Sequence, residues 1–116
     1  MTVQIIENKE DFDEFIKNNE NVMVYCGLTH CPPCRKIYPE FEKLTDKYKN
    51  IMFCKIIVDT LEDDCESHIS DKLKLTKYPS FTLLNNQNIL DSIVGPNITK
   101  VTQILECIGD DETVEF

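Results

Sequence analysis

Apolar residues along this chain fall into two patterns, short continuous runs and longer stripes with helical spacing. Val22–Cys26 is apolar without alternation, which is typical of a strand buried on both faces. After a short polar stretch, the apolar positions recur every three or four residues, at Ile37, Phe41, Leu44 and Tyr48. That spacing is one face of an amphipathic helix. The pattern therefore predicts a buried strand followed directly by a surface helix.

The rest of the chain continues this alternation. Asn8 is a plausible N-cap for a helix that follows a β-prone opening at Thr2–Ile6. The later predicted elements are a strand at Ile51–Val58, a helix from Thr60 with the ridge Leu61, Cys65, Ile69 and Leu73, a hairpin of Ser80–Leu84 and Ile89–Val94, and a last helix from Asn97 with the face Val101, Ile104, Leu105 and Ile108. The order β-α-β-α-β-α-β-β-α predicts an α/β fold with a mixed central sheet and helices on both faces.

Length and charge narrow the classes of protein that this chain can belong to. Its 116 residues, 41 % of them hydrophobic, suffice for one domain with one real core. The chain has 21 acidic and 12 basic residues, a net charge of −9 that works against nucleic-acid binding. Four of the acids cluster in the last seven residues, which predicts a domain at residues 1–109 followed by a solvated tail at 110–116.

No segment has the pattern of a targeting or membrane-spanning sequence. The first ten residues contain neither a basic leader nor a long apolar run, and Val22–Cys26 is far shorter than the about 20 residues that a span requires. We therefore expect a soluble cytoplasmic protein with no membrane partner. Reductants keep structural disulfides rare in that compartment, so the six cysteines indicate redox or metal chemistry at some positions and packing at the others.

Cys31 and Cys34 are the strongest candidates for reactive residues because they lie at the junction between the buried strand and the start of the helix. A helix N-terminus offers free N–H groups and a positive partial charge, both of which stabilise a thiolate. Such settings lower the pKa of a cysteine from about 8.5. We predict that Cys31 is the exposed nucleophile and Cys34 the resolving thiol, with Pro32 and Pro33 stiffening the loop. The pair would then be a redox-active disulfide that needs no other cofactor.

Further motifs resemble the thioredoxin family over residues 2–108. They are Cys31-Pro-Pro-Cys34 after a strand, Pro39 in the helix, Lys55 and Asp59 on the next strand, Tyr78-Pro79 opening a strand, and Gly95 after the hairpin. The resemblance implies a protein that reduces protein disulfides with electrons from a thioredoxin-reductase-like donor, and we expect it to be a monomer. It also implies a cis proline at Pro79 that faces the disulfide, within a groove of Tyr78, Pro79 and Gly95 that pairs with substrate chains.

Three departures from that family bear on the mechanism. His30 stands before the first cysteine where thioredoxins usually carry Trp, and Pro32 replaces a glycine. Tyr25 occupies the place of a buried acid that serves the resolving cysteine as proton acceptor, while its usual neighbour Lys55 is kept. A phenol with a pKa near 10 is a poor base at neutral pH.

Alternatives remain open for several of these residues. The cysteine pair with Cys65 and His68 would make a possible zinc set, although Cys65 also falls on a core ridge. The same dithiol chemistry at a higher potential would give an oxidase or isomerase, and vestigial cysteines would leave a redox-inactive binding module. His30 either supports the Cys31 thiolate or simply faces solvent.

The remaining cysteines and cations have simpler interpretations. Cys26 and Cys54 lie in buried-strand patterns and are expected to be inert packing thiols. Cys107 lies off the apolar face of the last helix, a position that leaves exposure and incidental oxidation or dimerisation open. Arg35 and Lys36 are solvated helix residues that border the active face and would favour acidic partners.

Overall fold

The computed structural model describes residues 2–108, and it confirms the predicted order of elements. The strands are β1 Val3–Ile5, β2 Asn21–Gly27, β3 Met52–Ile57, β4 Ser80–Asn85 and β5 Asn88–Val94. The helices are α1 Lys9–Asn18, α2 Pro32–Lys47, α3 Asp63–Leu73 and α4 Ile98–Ile108. The proposed tail at 110–116 and the domain boundary before it lie outside the described residues.

A single 3₁₀ turn at Val58–Thr60, absent from the sequence prediction, separates β3 from α3. Asp59 therefore lies in this turn, and its assignment to the strand was wrong. The predicted helix start at Thr60 was also too early, because α3 begins at Asp63. The apolar ridge nonetheless holds along the helix, where Cys65, Ile69 and Leu73 are buried.

The five strands form one mixed sheet in the order β1-β3-β2-β4-β5. β1 and β2 run parallel to β3, whereas β4 runs antiparallel to both β2 and β5. β2 is thus the central strand, and six of its seven residues are buried. Its carboxyl end leads through a four-residue loop to Pro32, so the predicted reactive cysteines lie at one end of the central strand.

Successive side chains of a strand point to opposite faces of the sheet, so each strand contributes residues to two hydrophobic cores, one on each face. The first core, between the sheet and the helices α2 and α4, includes Met23, Tyr25, Phe41, Phe81 and Leu105. The second core, under α1 and α3, includes Phe12, Val24, Cys54, Ile56 and Ile69. The expectation of helices on both faces is confirmed. Within residues 2–108, the helices lack the combination of length and apolarity that crossing a bilayer demands.

The β4–β5 hairpin returns the chain to the end of the sheet that carries the cysteines. Its two-residue turn places Asn86 and Gln87 at φ values of 50° and 72°, the conformation that matches the twist of paired strands. Just after β5, Gly95 has a φ of 101°, and its N–H donates to the Pro79 carbonyl at 2.8 Å. The Tyr78–Pro79 peptide bond is cis, as the resemblance implied.

Gly95→Ala tests whether this backbone conformation is what requires a glycine. A Cβ at Gly95 would meet nothing within 4 Å, so the substitution introduces torsional strain without a clash. We expect a loss of about 1–3 kcal/mol in the free energy of unfolding, measured by urea denaturation. As the control, Gln87→Gly relieves a positive φ and should change stability by less than about 1 kcal/mol. Equal effects at the two positions would contradict the explanation.

Candidate active site

Cys31 and Cys34 form a disulfide at the N-terminus of α2, with their Cα atoms 5.2 Å apart. Cys31 is the N-cap residue, and its Sγ accepts a hydrogen bond from the Cys34 N–H at 3.3 Å. Pro32 and Pro33 have no N–H to donate. Cys34 therefore supplies the first amide of the helix, and that amide points at the sulfur of Cys31. The predicted helix-terminal setting for a thiolate is present.

The burial of the pair differs from the prediction in one respect. Cys31 is only 7 % exposed and Cys34 1 %, so the expectation of an exposed nucleophile is wrong for the disulfide form. The Sγ of Cys31 accepts the Cys34 amide hydrogen bond and is joined to the Cys34 sulfur by the disulfide. Both interactions hold the Cys31 side chain against the α2–α4 core. Cys31 is still the more accessible sulfur-bearing residue of the two. Pro32 and Pro33 beside it are exposed.

The loop before Cys31 is held by contacts that cannot be seen in the sequence. The Asp59 carboxylate accepts hydrogen bonds from the Thr29 N–H at 2.9 Å and the Thr29 hydroxyl at 3.0 Å. The amide hydrogen bond is the main reason that the pKa of Asp59 is lowered. From the other side, the Arg35 guanidinium donates to the Thr29 carbonyl at 3.3 Å. His30, between these anchors and Cys31, is exposed.

Tyr25 lies directly behind the cysteine pair. Its hydroxyl donates to the Cys34 carbonyl at 3.4 Å, and its ring packs against Tyr38, Phe41 and Phe81 at centroid distances of 5.1, 5.5 and 5.6 Å. Burial, with smaller contributions from Tyr38 and Cys26, raises the pKa of Tyr25 to about 12. The phenol is therefore a hydrogen-bond donor to α2 at neutral pH and accepts no proton. Its contribution to stability is lost only as the pH rises from about 10 towards 12.

Lys55 is the partner of Tyr25 in the β2–β3 register, so the two residues lie side by side. The Lys55 ammonium is 4.2 Å from the centroid of the Tyr38 ring, a cation–π contact. Together with Cys34 they line a cleft of about 470 Å³ on the inner side of the disulfide. Sequence reasoning missed Tyr38, although its position one turn after Cys34 on α2 was a usable signal.

Gly27 explains how a side chain as large as tyrosine fits at this place. It lies two residues after Tyr25 on the same face of β2. A Cβ at Gly27 would be 2.5 Å from the Tyr25 hydroxyl oxygen and 2.9 Å from the adjoining ring carbon. The missing side chain leaves the space that the phenol fills. A glycine inside a strand often marks such a close approach, and that signal was available in the sequence.

The residues of the expected substrate groove meet at the same end of the sheet. Ser80, immediately after Pro79, pairs with Cys26 of β2 and with Val94 of β5. Gly95 is tied to the Pro79 carbonyl, and Tyr78 is half-buried with a pKa raised mainly by desolvation. This arrangement places the three residues near the carboxyl end of β2, from which the chain continues to Cys31. Their role in binding substrate chains stays a prediction.

The structure does not bring the alternative zinc set together. Cys65 lies in the α1–α3 core, on the face of the sheet opposite the disulfide, and His68 instead contacts Asp13 at 2.7 Å. Among residues 2–108, no three histidine, cysteine or acidic side chains are grouped so that they could hold a metal ion.

Cys26, Cys54 and Cys65 are buried, as the sequence predicted, and Cys107, whose exposure the sequence left open, is exposed. Cys26 and Cys54 are fully buried, and desolvation raises the pKa of both thiols. Cys65 is a core residue, 7 % exposed. Cys107 is exposed on α4, where its thiol donates weakly to the Gln103 carbonyl.

Comparison with known proteins agrees with this fold and site. The thioredoxin family profile matches residues 3–108. A thioredoxin of Coprinus comatus is 33 % identical over 106 residues, covering 90 % of this chain and 95 % of its own. The solved structure of Plasmodium falciparum thioredoxin is 30 % identical, covers 90 % of this chain and 98 % of its own, and superposes with a TM-score of 0.81. Oxidised mitochondrial thioredoxin 3 of Saccharomyces cerevisiae gives a TM-score of 0.80 at 25 % identity, over 90 % of this chain and 94 % of its own.

These likenesses coincide with a close cysteine pair at the start of α2, so the protein is a thiol–disulfide oxidoreductase. The match extends over nearly the whole chain and over nearly the whole of each relative. The chain belongs to the thioredoxin family.

Gly27→Ala and Tyr25→Phe together test the close approach behind the disulfide. Gly27→Ala forces the phenol to move, and we expect it to cost about 1–3 kcal/mol of unfolding free energy. Removing the hydroxyl with Tyr25→Phe removes the nearest clashing atom. The double variant should therefore lose at least about 0.5 kcal/mol less than the sum of the single losses, measured by urea denaturation. Gly95→Ala combined with Tyr25→Phe is the control and should be additive; additivity at Gly27 would show that the contact is absent.

Proposed function

We propose that this protein reduces the disulfides of other proteins, with Cys31 as the nucleophile and Cys34 as the resolving thiol. The observation that carries this assignment is the hydrogen bond from the Cys34 N–H to the Cys31 sulfur. It gives Cys31, and not Cys34, the helix N-terminus that stabilises a thiolate. Cys31 is also the more accessible of the two residues.

In the first step, the Cys31 thiolate of the reduced protein attacks one sulfur of a substrate disulfide. A bond forms between Cys31 Sγ and that sulfur, and the substrate's own S–S bond breaks. The second substrate sulfur leaves as a thiolate and takes a proton from solvent. The product is a mixed disulfide between Cys31 and the substrate, with Cys34 still a thiol.

In the second step, Cys34 loses its proton and attacks the Sγ of Cys31. The Cys31–Cys34 disulfide forms, the mixed disulfide breaks, and the substrate leaves as a thiolate that is protonated. The substrate has gained two electrons and two protons in all. The protein has lost the two electrons and the Cys34 proton, and the Cys31 proton had already passed to solvent when its thiolate formed. Tyr25, held protonated by burial, does not accept the Cys34 proton at neutral pH. Water in the cleft beside Lys55 is the acceptor in this proposal.

The partners follow from that balance. A dithiol donor resembling a thioredoxin reductase must return two electrons and two protons to the Cys31–Cys34 disulfide. The cysteine pair itself carries the electrons, so the proposal includes no dissociable cofactor and no metal. We further propose a cytoplasmic monomer with no nucleic-acid or membrane partner, consistent with the net charge of −9 and with the reducing conditions that a disulfide reductase needs.

An oxidase or isomerase would use the same two cysteines at a higher reduction potential. The potential depends on how strongly the reduced form is stabilised, and equilibration against glutathione measures it. A potential near that of thioredoxin, about −270 mV, supports the reductase. A value near −180 mV or higher would assign the protein to the oxidising group instead.

The two cysteines should behave differently when each is replaced. Cys34→Ser leaves a nucleophile that cannot release its partner, so mixed disulfides accumulate in a cell extract and appear on non-reducing gels. Cys31→Ser removes the attacking thiolate and should abolish insulin-disulfide reduction. Cys107→Ser is the matched control, since its thiol is exposed but lies outside the site. Equal trapping by both active-site variants, or trapping that Cys107→Ser removes, would contradict the assignment.

The absence of an acidic residue at Tyr25 predicts a pH-dependent second step. We expect release of the mixed disulfide, followed in single turnovers, to speed up from pH 6 to 9 as Cys34 ionises more readily. Tyr25→Asp would place a carboxylate beside Lys55 and should raise the rate at pH 7 by at least about tenfold.

Tyr25→Asn is the matched control for that experiment, because it leaves the same space without an acid. Both variants must be checked for folding, since a poorly paired buried carboxylate costs several kcal/mol. A flat pH profile for the natural protein, or equal rates for the folded Asp and Asn variants, would show that another group accepts the proton.

A further inference from the structure

A pocket of about 480 Å³ opens beside Cys31, and its lining is unusual for so acidic a protein. Its residues are His30, Cys31, Pro32, Arg35 and Lys36, and we refer to it as the Cys31 pocket. Two of the five carry a permanent positive charge and a third is a histidine. The whole chain has a net charge of −9. The accessible edge of the reacting cysteine therefore faces a local surplus of positive charge.

The dipole of α2 does not favour cations at this position. α1 and α3 carry acids in their first turns, whereas α4, like α2, has no acid there and carries Lys100. In α2, Arg35 and Lys36 follow directly after the first three residues of the helix. Cations near a helix N-terminus oppose the dipole, so they do not stabilise α2. The hydrogen bond to the Thr29 carbonyl accounts for the position of Arg35, and a partner that approaches from outside would make use of the positive charge of both side chains.

The two cations are available to such a partner. The Arg35 guanidinium is exposed, and its hydrogen bond to the Thr29 carbonyl holds it beside the loop without neutralising its charge. Lys36 is also exposed, and within residues 2–108 neither side chain forms an ion pair shorter than 4 Å.

Asp59 and Glu40 are two acids close to these residues. Asp59, on the Thr29 side, accepts two hydrogen bonds from that residue, and its carboxylate also acts electrostatically on His30. Glu40 lines a neighbouring apolar recess with Lys36 and Pro96, and its carboxylate pairs with Lys43 at 3.8 Å. Neither acid lines the Cys31 pocket.

We propose that the Cys31 pocket binds acidic side chains that flank a substrate's disulfide, so that this protein preferentially reduces protein disulfides set among Asp and Glu residues. The inference rests on the proposed function and adds the class of substrate. Arg35 and Lys36 hold the flanking carboxylates while Cys31 attacks the sulfur between them. The net charge of the whole chain would by itself favour basic substrates, so the two effects predict opposite preferences.

The test uses short peptides, each dimerised through a single cysteine flanked by Glu, Ser or Lys. The pre-reduced protein is mixed with each peptide disulfide, and its oxidation is followed by quenched flow and mass spectrometry, because the chain has no tryptophan to report it. Each rate constant is divided by that of dithiothreitol, an uncharged dithiol, with the same peptide. This division removes the effect of peptide charge on the intrinsic reactivity of the disulfide.

At low ionic strength, we expect the normalised rate to be about five- to tenfold higher for the Glu peptide than for the Lys peptide. In 1 M salt, where the Debye length is about 3 Å, that preference should largely disappear. The double variant Arg35→Gln and Lys36→Gln should lose most of the preference. Because the preference is a ratio for one protein, any change in the reactivity of Cys31 cancels. Lys17→Gln, on α1 across the sheet, is the matched control and should keep it.

Each other outcome has a definite meaning. Equal normalised rates, or a preference for the Lys peptide, would overturn the inference, while oxidation by the Ser peptide would still support the proposed function. Failure of the natural protein to reduce even the Ser peptide would overturn the proposed function itself. A preference that survives in the double variant would show that Arg35 and Lys36 do not cause it. A higher normalised rate with glutathione disulfide than with the Glu peptide would assign the pocket to a small acidic disulfide and overturn the inference.

Discussion

The contact between the Cys34 amide and the Cys31 sulfur is the interaction on which the chemistry of this protein depends. It exists because β2, the central strand, delivers the chain to the start of α2, where an extended Cys31 takes the N-cap position. Pro32 and Pro33 have no N–H, so the Cys34 amide is the first in α2 that can donate to the sulfur. The sheet and the helix thus place one N–H group and the positive end of the helix dipole at the Cys31 sulfur.

Behind that contact, the protein supports α2 with an aromatic residue in place of an acid. Tyr25 donates to the Cys34 carbonyl, packs among aromatic rings of the α2–α4 core, and fits because Gly27 has no side chain. Lys55 lies over the face of Tyr38, and among residues 2–108 no carboxylate lines their cleft. The arrangement ties the first turn of α2 to β2 and puts a phenol of raised pKa behind Cys34.

The sequence predicted the elements well because their signals are local. The unbroken run at β2, the stripe along α2 and the Asn8 cap each depend on neighbouring residues, and Asn8 does accept from the Asp11 amide at 2.8 Å. Cys31 and Cys34 were found for the same reason, since their chemistry follows from a strand-to-helix junction. The burial of Cys31 was missed because it depends on the side-chain conformation that Cys31 adopts in the disulfide.

The contacts around the site could not be predicted because they join residues that are distant in sequence. Asp59 holds Thr29 across 30 positions, and its placement in a 3₁₀ turn leaves no periodic signal. Lys55 and Tyr38 meet only once β3 and α2 are packed on each other. Gly27 was an exception, since a glycine within a buried strand was visible in the sequence.

The most direct test of this account is the reactivity of Cys31 in the reduced protein. At pH 6.5, iodoacetamide should modify Cys31 at least about tenfold faster than the cysteine of an unstructured peptide, because the helix N-terminus stabilises the thiolate. Cys34 should react far more slowly, and peptide mass mapping distinguishes the two sites. Reaction of Cys31 no faster than the peptide, or modification of Cys34 first, would contradict the central claim that α2 activates Cys31.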